Sequence, residues 1–355
     1  MKPQLTITKA GQGHGQAMRT ALTMAALSGR TVKLTGIKDD RARPRPGLGP
    51  AGRTLLVALG IITGGSCQAR GGDLEATFTP GLVRPGSYQF DVSREEPLCS
   101  PLSTVITPLI LPLATCRENS SVLVSGATHM LGAPTTDELT RVILPMLQRL
   151  GVPVRLSEIA PGFFPQGGGE AELTVEPAGI LEALKAEHSF QPHRIGAEVV
   201  ISGLPRHLAD QVLDGVVDRL GLFGLKPETS TRRAQGSTGM ALLVWASSGR
   251  SWAGFSALGR PGGRPESLAI EASEAMLTFL NSGAGMQAEV AAQALPTLAC
   301  AQGISHISVD RLTPGLKATA RVIETFWPDT VRIDTPIQGG PSQVRVMGRR
   351  WGRLS

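Results

Sequence analysis

Aromatic side chains are scarce in this sequence of 355 residues: phenylalanine, tryptophan and tyrosine make up 4% of it, and there is one tyrosine. A protein that stacks many single-stranded bases on aromatic rings needs more of them, so this mode of nucleic-acid binding is disfavoured. The four cysteines lie far apart without Cys-x-x-Cys spacing, which argues against a zinc site and against a disulfide scaffold. We expect all four to be small buried apolar residues: Cys67, Cys99, Cys116 and Cys300.

Long apolar runs are absent as well. No stretch of about 18 uncharged apolar residues occurs, and the first ten residues lack the apolar segment of a signal peptide. The sequence therefore predicts a cytoplasmic protein with no membrane partner. The apolar content of 41% is sufficient for a sizeable core, and the length predicts two or three domains.

Positive charge is in excess, with a formal net charge of +6. Part of it is concentrated between residues 38 and 45, and part in the C-terminal tail from Arg345 onward. Such clusters favour a polyanion partner, with solvated charge that has no partner as the alternative, which is favoured for the tail. The residues predicted to contact RNA are those of the first cluster: Lys38, Arg41, Arg43 and Arg45.

A repeated apolar pattern runs along the chain, with a short strand ending in glycine, a loop, an amphipathic helix and closing strands. Its four copies begin at Val32, Val122, Val199 and Ile304. Because each copy offers one apolar helix face and one half-buried sheet face, we predict an α+β fold of repeated split β-α-β units. Helices should cover one face of each sheet. A doubly wound nucleotide fold fits less well, since no Gly-x-Gly-x-x-Gly follows a strand.

The clearest predicted helix spans residues 137–150, where apolar residues recur at steps of three and four. Thr136 is the expected N-terminal cap and Gly151 the expected stop. Pro145 should kink this helix, because proline lacks the N–H that the helix interior needs.

The segment that says most about function is Pro161-Gly-Phe-Phe-Pro-Gln-Gly-Gly-Gly-Glu170. Glycine loses more freedom on folding than any other residue, so three in succession indicate main chain that must approach something closely. An ordinary glycine-rich hairpin is the alternative. The run resembles the signature of the RNA 3'-terminal phosphate cyclases, although Pro161 stands where that family has Arg or His.

The similarity to this family extends over nearly the whole chain, in matching order and spacing. The other matching segments are Gly11–Gln16 with Arg19, Pro46–Leu48, Gly126–Thr128 with Ala133–Pro134, and Gly254–Gly259 with Glu266 and Glu271–Ala272. The resemblance implies a large domain of three repeats that is interrupted by a smaller α/β domain. It predicts a cyclase core over 1–185 with repeats one and two, an inserted domain over 186–283, and the last repeat with the basic tail over 284–355.

The chemistry that the resemblance implies is an ATP-dependent reaction of the ligase class. A histidine takes AMP from ATP, AMP passes to an RNA 3'-phosphate, and the neighbouring 2'-hydroxyl displaces it to leave a 2',3'-cyclic phosphate, with Mg²⁺ or Mn²⁺ assisting. No protein-held metal site is predicted from ligand spacing. The implied nucleotide and phosphate site consists of Gly13, Gly15, Gln16, Arg19, Glu289 and Gln293. The first loop supports this by itself, since a strand that turns into a helix can bind an anion, with a plain tight turn as the alternative.

The family's nucleophilic histidine has no counterpart in this chain. Ungapped alignment of residues 304–316 places Gly315 at its position, and glycine cannot form a phosphoramidate. His306, on a predicted strand, and His14, in the first glycine loop, are weak substitutes. The other histidines have neither metal-ligand spacing nor a suitably placed carboxylate: His129, His188, His193 and His207. Further family positions differ at Gln12, His14, Ala51-Gly52 and Ala292.

Three hypotheses for the function follow. In the first, the protein is an RNA 3'-phosphate cyclase. In the second, it is an inactive relative that keeps an RNA-binding scaffold, as in the family's ribosome-assembly branch. That branch also lacks the histidine, and its partner is ribosomal RNA. The third is a small-molecule enzyme of the related enolpyruvyl-transferase architecture, for which no matching spacing of basic and acidic residues is present. Whether the protein is an enzyme at all stays open at the level of sequence.

Overall fold

A computed structural model describes residues 4–13, 15–38, 46–92, 99–336 and 339–350. Four residues that the sequence singles out lie outside these ranges: His14, Arg41, Arg43 and Arg45. Within the described residues the chain forms four sheets of four strands each, with helices packed on them.

The first sheet has the strand order β1-β2-β4-β3. Its elements are β1 (Leu5–Ile7), α1 (Gln16–Ser28), β2 (Val32–Thr35), α2 (Pro50–Thr63), β3 (Ser66–Gln68) and β4 (Glu75–Thr79). Strands β1 and β2 are parallel, because α1 carries the chain back between them. Cys67 lies on the edge strand β3 and is exposed, so the expectation that it is buried is wrong; Cys99, Cys116 and Cys300 are buried.

The second sheet has the order β5-β6-β8-β7. Its elements are β5 (Ser87–Asp91), α3 (Ser103–Leu113), β6 (Ser120–Gly126), α4 (Thr136–Glu138), α5 (Leu144–Arg149), β7 (Val154–Ala160) and β8 (Gly169–Val175). Again the first two strands are parallel and flank a helix.

The helix predicted over 137–150 is divided into α4, a π-helical segment Leu139–Ile143, and α5. Pro145 falls in the first turn of α5, where its missing N–H costs least, and the wider π turn lies directly before it. The cap is Thr135 rather than Thr136, because the Thr135 hydroxyl accepts a hydrogen bond from the Glu138 N–H. Gly151 ends the helix at a positive φ of 94°, as expected.

The third sheet, which we call the inserted sheet, has the order β11-β10-β12-β13. It follows the short β9 (Lys185–Ala186) and contains β10 (Arg194–Ser202), α6 (Arg206–Gly221), β11 (Glu228–Ala234), β12 (Gly239–Ser247), β13 (Trp252–Leu258) and α7 (Glu266–Asn281). The last sheet, β15-β16-β14-β9, contains α8 (Ala288–Cys300), β14 (Ile304–Val309), α9 (Pro314–Phe326), β15 (Val331–Asp334) and β16 (Ser342–Met347). The predicted α+β class with repeated split units is confirmed.

Buried apolar residues form two main clusters. One lies wholly within residues 190–284, between the inserted sheet and helices α6 and α7. The larger one joins the other three sheets, and Leu243 and Trp245 of β12 also pack into it. The inserted sheet therefore has its own core on one face and contacts the rest of the molecule with the other; the division of the chain at 186 and 283 stays a prediction. No described helix is both long and apolar enough to cross a membrane.

Candidate functional site

A cavity of about 520 Å³, here called the central cavity, lies between the core and the inserted sheet. The core contributes the first glycine loop with α1, the loop after β6, and the starts of α8 and α9, while β13 and α7 close the opposite side. Six positions named from the sequence line it together: Gly13, Gln16, Arg19, Glu289, Gln293 and Gly315. Residues that are far apart in the chain thus meet at one site.

A second cavity of about 300 Å³, here called the side cavity, adjoins the first. Arg19 lines both cavities, and Gly15 and Lys38 line the side cavity. Ala51 and Gly52, which replace a Gln-His pair of the family, also lie there. The other residues of the basic cluster, and His14, are outside the described part of the chain.

Gly13 and Gly315 touch through their main chains. A Cβ atom added to Gly13 would lie 2.6 Å from the Cα of Gly315, and the φ of Gly13 is +61°. Both the close contact and the backbone conformation therefore exclude a side chain at this position. A Cβ atom added to Gly315 would meet nothing nearer than the Thr313 Oγ1, at 3.9 Å. Position 315 is therefore open toward the cavity, and its glycine is not required by packing.

Two helices begin at the central cavity. Helix α1 starts behind Gly15 with no side-chain cap, and Arg19 in its first turn donates a hydrogen bond to Gln16 Oε1 at 2.8 Å. Burial lowers the pKa of Arg19 to about 10, which leaves the guanidinium charged at neutral pH. Helix α9 starts at Pro314, with Thr313 as its cap. The N–H groups in the first turn of α1 already donate to main-chain carbonyls, and Thr313 caps the Leu316 N–H of α9. The positive ends of the two helix dipoles beside a cation still favour an anionic ligand.

The carboxyl groups of Glu138 and Glu289 also line the central cavity. Burial raises the pKa of Glu138 to about 7, and the like charge of Glu289 raises it further. The Ser256 hydroxyl donates a hydrogen bond to Glu138 at 3.2 Å and acts in the opposite direction. One oxygen of Glu289 accepts from Arg311 at 2.7 Å, and the other is buried with no hydrogen-bond partner among the described residues. Burial also raises the pKa of Asp310, which pairs with Arg311 and caps α8 through the Ala288 N–H. Glu138 can accordingly exchange a proton near neutral pH.

The side-chain amide of Gln287, the residue before α8, joins strand β13 of the inserted sheet to the core. Its oxygen accepts from the Gly254 N–H at 2.9 Å and its nitrogen donates to the Gly254 carbonyl at 3.0 Å. Ala292, where the family has an aspartate, also lines the cavity. The described residues contain no group of three or more His, Cys, Asp or Glu side chains arranged to hold a metal ion.

A buried polar network, which the sequence analysis missed, lies behind the loop after β6. The expectation that His129 has no suitably placed carboxylate is wrong: its Nε2 is 2.7 Å from Asp137 Oδ2, and its Nδ1 is 2.7 Å from Thr128 Oγ1. Asp137 also accepts from Arg232 of β11 at 2.6 Å, and Arg232 pairs with Glu158. We call His129, Asp137, Arg232 and Glu158 the clasp network.

The clasp network lines neither cavity, and its histidine and carboxylates are largely buried, while the Arg232 side chain is 35% exposed. Its histidine is 1% exposed and stacks on Phe163 with ring centroids 4.6 Å apart. Burial by itself would raise the pKa of Asp137, but the hydrogen bond and charge of His129 and those of Arg232 outweigh it, and this pKa is lowered. A loop separates residues 129 and 137, which explains why spacing along the chain did not reveal the pair.

Gly167 and Gly169 of the triple glycine pack closely against the protein, whereas a Cβ added to Gly168 would meet nothing within 4 Å. A Cβ on Gly162 would lie 2.2 Å from the Gly169 nitrogen, and a Cβ on Gly167 would lie 2.5 Å from the Cβ of Cys99. Neither cavity is lined by this run. The close approach expected from the sequence therefore exists at Gly167 and Gly169.

His306 does not reach the site. It lies on β14 as expected for a strand residue, half-exposed, with its Nδ1 3.8 Å from a Glu187 oxygen. It lines neither cavity. It is therefore misplaced as a substitute for the missing nucleophile, because Gly315 lines the central cavity and His306 does not.

Comparison with known proteins gives a consistent result. A family model described as RNA 3'-terminal phosphate cyclase matches residues 10–333. A protein of that name from Methylococcus capsulatus is 33% identical over 353 residues, which cover 96% of both chains. Proteins of the same name from Nostoc punctiforme and Archaeoglobus fulgidus are 32% and 29% identical, with 91% of this chain and 94% and 95% of theirs covered.

A solved structure of EPSP synthase from Acinetobacter baumannii covers 93% of this chain and 62% of its own, at 10% identity and a TM-score of 0.26, which is too low to carry an argument. The family match, in contrast, spans both cavities and every element that lines them. This chain belongs to the RNA 3'-terminal phosphate cyclase family.

Proposed function

We propose that this protein binds the phosphorylated 3' end of RNA and a nucleotide without forming a covalent histidine–AMP adduct. The observation that carries the proposal is the contrast between Gly13 and Gly315. The first is held by close packing, whereas the second leaves open space where a nucleophile would stand. Arg19 and the N-termini of α1 and α9, which surround this space, support binding of a phosphate group there.

ATP is the proposed nucleotide. A volume of about 520 Å³ lies within the range of small-molecule sites, and the starts of α1 and α9 would receive its phosphates. A divalent metal, Mg²⁺ or Mn²⁺, is commonly held by ligand phosphates and one or two carboxylates. The buried, unpartnered oxygen of Glu289 fits that role. When bound, the metal would neutralise phosphate charge.

RNA with a 3'-phosphate end is the proposed partner, and the basic cluster, Lys38 with Arg41, Arg43 and Arg45, is proposed to contact its backbone. Lys38 lines the side cavity, which shares Arg19 with the central cavity. An RNA end in the side cavity would therefore lie beside the nucleotide. For a protein that binds without reacting, a role in ribosome assembly in the cytoplasm, with ribosomal RNA as partner, is the proposed context.

Labelled ATP tests the proposal directly. We would incubate the protein with ATP labelled at the α-phosphate and Mg²⁺ or Mn²⁺, and measure acid-labile label on the protein together with noncovalent binding of a 3'-phosphorylated oligonucleotide. Noncovalent binding without label is expected. Label on the unaltered protein that His14→Ala abolishes would overturn the proposal.

Gly315→His supplies the matched variant. Because a Cβ at this position meets nothing nearer than 3.9 Å, the new imidazole should extend into the cavity without displacing the chain. Label that appears on this variant alone would support a nucleotide α-phosphate bound beside residue 315. Neither label nor nucleotide binding in either protein would mean that the cavity does not hold ATP.

ATP-dependent cyclisation of the RNA end is the second candidate function. The position of His14 between Gly13 and Gly15, which line the two cavities, favours it, as does Glu138, whose pKa near 7 suits a base for the 2'-hydroxyl. Its test is conversion of a 3'-phosphate to a phosphatase-resistant cyclic end. We expect no conversion; conversion lost in His14→Ala would establish this candidate instead.

A further inference from the structure

The wall shared by the two cavities is a loop, residues 130–136, which we call the wall loop. Met130, Leu131 and Gly132 line both cavities, and the next three residues line the central one. The tip of the loop has little packing of its own, since Leu131 is 55% exposed and Gly132 adopts a positive φ of 84°. What fixes the loop must therefore act at its ends.

The clasp network holds those ends. The hydrogen bond between His129 and Asp137 joins the residue before the loop to the residue after it, and the Thr136 N–H donates to the Thr128 carbonyl at 3.2 Å. Both carboxylate oxygens of Asp137 are used, one by His129 and the other by Arg232. The Thr136 hydroxyl also donates to Glu158.

Arg232 belongs to a different part of the molecule from the loop that it holds. It lies on β11, the edge strand of the inserted sheet, whereas Asp137 and Glu158 lie in the second sheet's unit. A second ion pair crosses the same boundary, between Arg141 of the π-helical segment and Glu198 of β10 at 2.9 Å. Ion pairs thus connect the inserted sheet to the ends of the wall loop and to the helix that follows it.

We propose that Arg232 is a positioning residue that clamps the wall loop from the inserted sheet and so sets the affinity of both cavities for phosphorylated ligands. The affinity part rests on the proposed function; the positioning part does not. Without Arg232, Asp137 would keep one partner and Glu158 would lose its cation. Mutual repulsion of these two buried carboxylates would then open the ends of the loop.

Three variants of the full chain separate a positioning role from a merely structural one. Arg232→Ala removes the clamp, and Arg232→Lys keeps the charge but loses the fork that reaches two carboxylates. Arg233→Ala is the matched control, because Arg233 is the next residue on the same strand and is exposed. Thermal unfolding would establish that each variant is folded.

Hydrogen exchange of the Thr136 and Glu138 amides, which donate to the Thr128 carbonyl and the Thr135 hydroxyl at the end of the wall loop, is the first readout. Arg232→Ala removes two charge-assisted hydrogen bonds, and the loss of each corresponds to about a tenfold change in an opening equilibrium, so exchange there should be at least about tenfold faster. Arg232→Lys should be intermediate and Arg233→Ala unchanged. If Arg232→Ala does not fold, the comparison of Arg232→Lys with Arg233→Ala decides. Equal exchange in the folded Arg232 variant and the control would overturn the proposal.

Affinity for MgATP and for a 3'-phosphorylated oligonucleotide is the second readout. Both dissociation constants should rise about tenfold in Arg232→Ala, partly recover in Arg232→Lys, and stay unchanged in Arg233→Ala. Faster exchange with unchanged affinity would overturn the link between the loop and the ligand. If the unaltered protein binds neither ligand, the proposed function fails while hydrogen exchange still decides whether Arg232 positions the loop.

Discussion

Asp137 and Glu138 are consecutive carboxylic acids whose environments have opposite effects. Asp137 faces the clasp network, where His129 and Arg232 lower its pKa against the effect of burial. Glu138 faces the central cavity, where burial and Glu289 raise its pKa to about 7. One residue step at the start of a helix thus separates a charged structural group from a group that is half-protonated at neutral pH.

The difference shows how the molecule separates stability from ligand binding. In the clasp network, both carboxylates pair with Arg232, and no member of the network lines either cavity. At the central cavity, position 315 has no side chain and one oxygen of Glu289 has no partner among the described residues. Polar groups left unsatisfied inside a protein cost stability, and they are typical of sites that bind something.

The largest effect on stability is expected from a substitution in the clasp network. Asp137→Asn removes the charge that compensates Arg232 and His129, and we expect it to destabilise the protein by about 3 kcal/mol. Glu138→Gln should change stability by less than about 0.5 kcal/mol at pH 6, because Glu138 is mostly protonated there. Denaturant unfolding of both variants at pH 6 measures the contrast. Equal losses would mean that the two carboxyls are not in different environments.

A second comparison concerns the two glycines that touch. Gly13→Ala should cost about 2 kcal/mol or more, since it combines a positive φ with a main-chain contact at 2.6 Å. Gly315→Ala should lie within about 0.5 kcal/mol of the unaltered protein, because its Cβ enters open space. Thermal unfolding of the two variants tests this. A large loss at Gly315 would show that the position is closed.

The smallest effect is the dependence on pH. The folded pKa of Glu138 is above its unfolded value, so its contribution to stability is present at low pH and is lost as the pH rises from about 4.5 to 7. The loss should be on the order of 1 kcal/mol, because access of solvent to the cavity weakens the effect of burial. Asp137 has the opposite sign: its lowered pKa contributes stability above its unfolded value, which is lost as pH falls through the folded value.

Anion affinity should follow the same titration. Above pH 7, ionised Glu138 repels phosphate groups, so MgATP should bind more weakly at pH 8 than at pH 6. Glu138→Gln should remove this part of the dependence, and Glu266→Gln, at the exposed start of α7, should not. Identical pH profiles for the unaltered protein and Glu138→Gln would exclude Glu138 as the titrating group.

Much of the fold follows from local pattern. Strands β2 and β14 begin at Val32 and Ile304, where two copies of the repeated pattern are predicted to begin, while β6 and β10 begin two and five residues before Val122 and Val199. The six positions in the central cavity came from resemblance, not from periodicity. Local pattern identifies elements because side chains alternate or recur with the backbone geometry.

What the sequence could not show depends on how separate elements dock. Arg232 and Asp137 are 95 residues apart, and nothing near Arg232 in the chain marks it as a partner. The exposure of Cys67 depends on β3 being an edge strand, which is a property of the sheet and not of the segment. The contacts of the triple glycine could not be predicted either, since its closest neighbours, Cys99 and Gly162, lie outside the triplet.

The meeting of Gly13 with Gly315 also constrains biosynthesis. Nearby, Thr20 of α1 and Thr319 of α9 approach to 3.3 Å across a separation of 299 residues. A ribosome adds about 5–20 residues per second, so α1 waits on the order of 15 to 60 s for its neighbour to be made. During that interval its apolar surface is uncovered in the nascent chain, and factors that bind such surfaces have their best opportunity there.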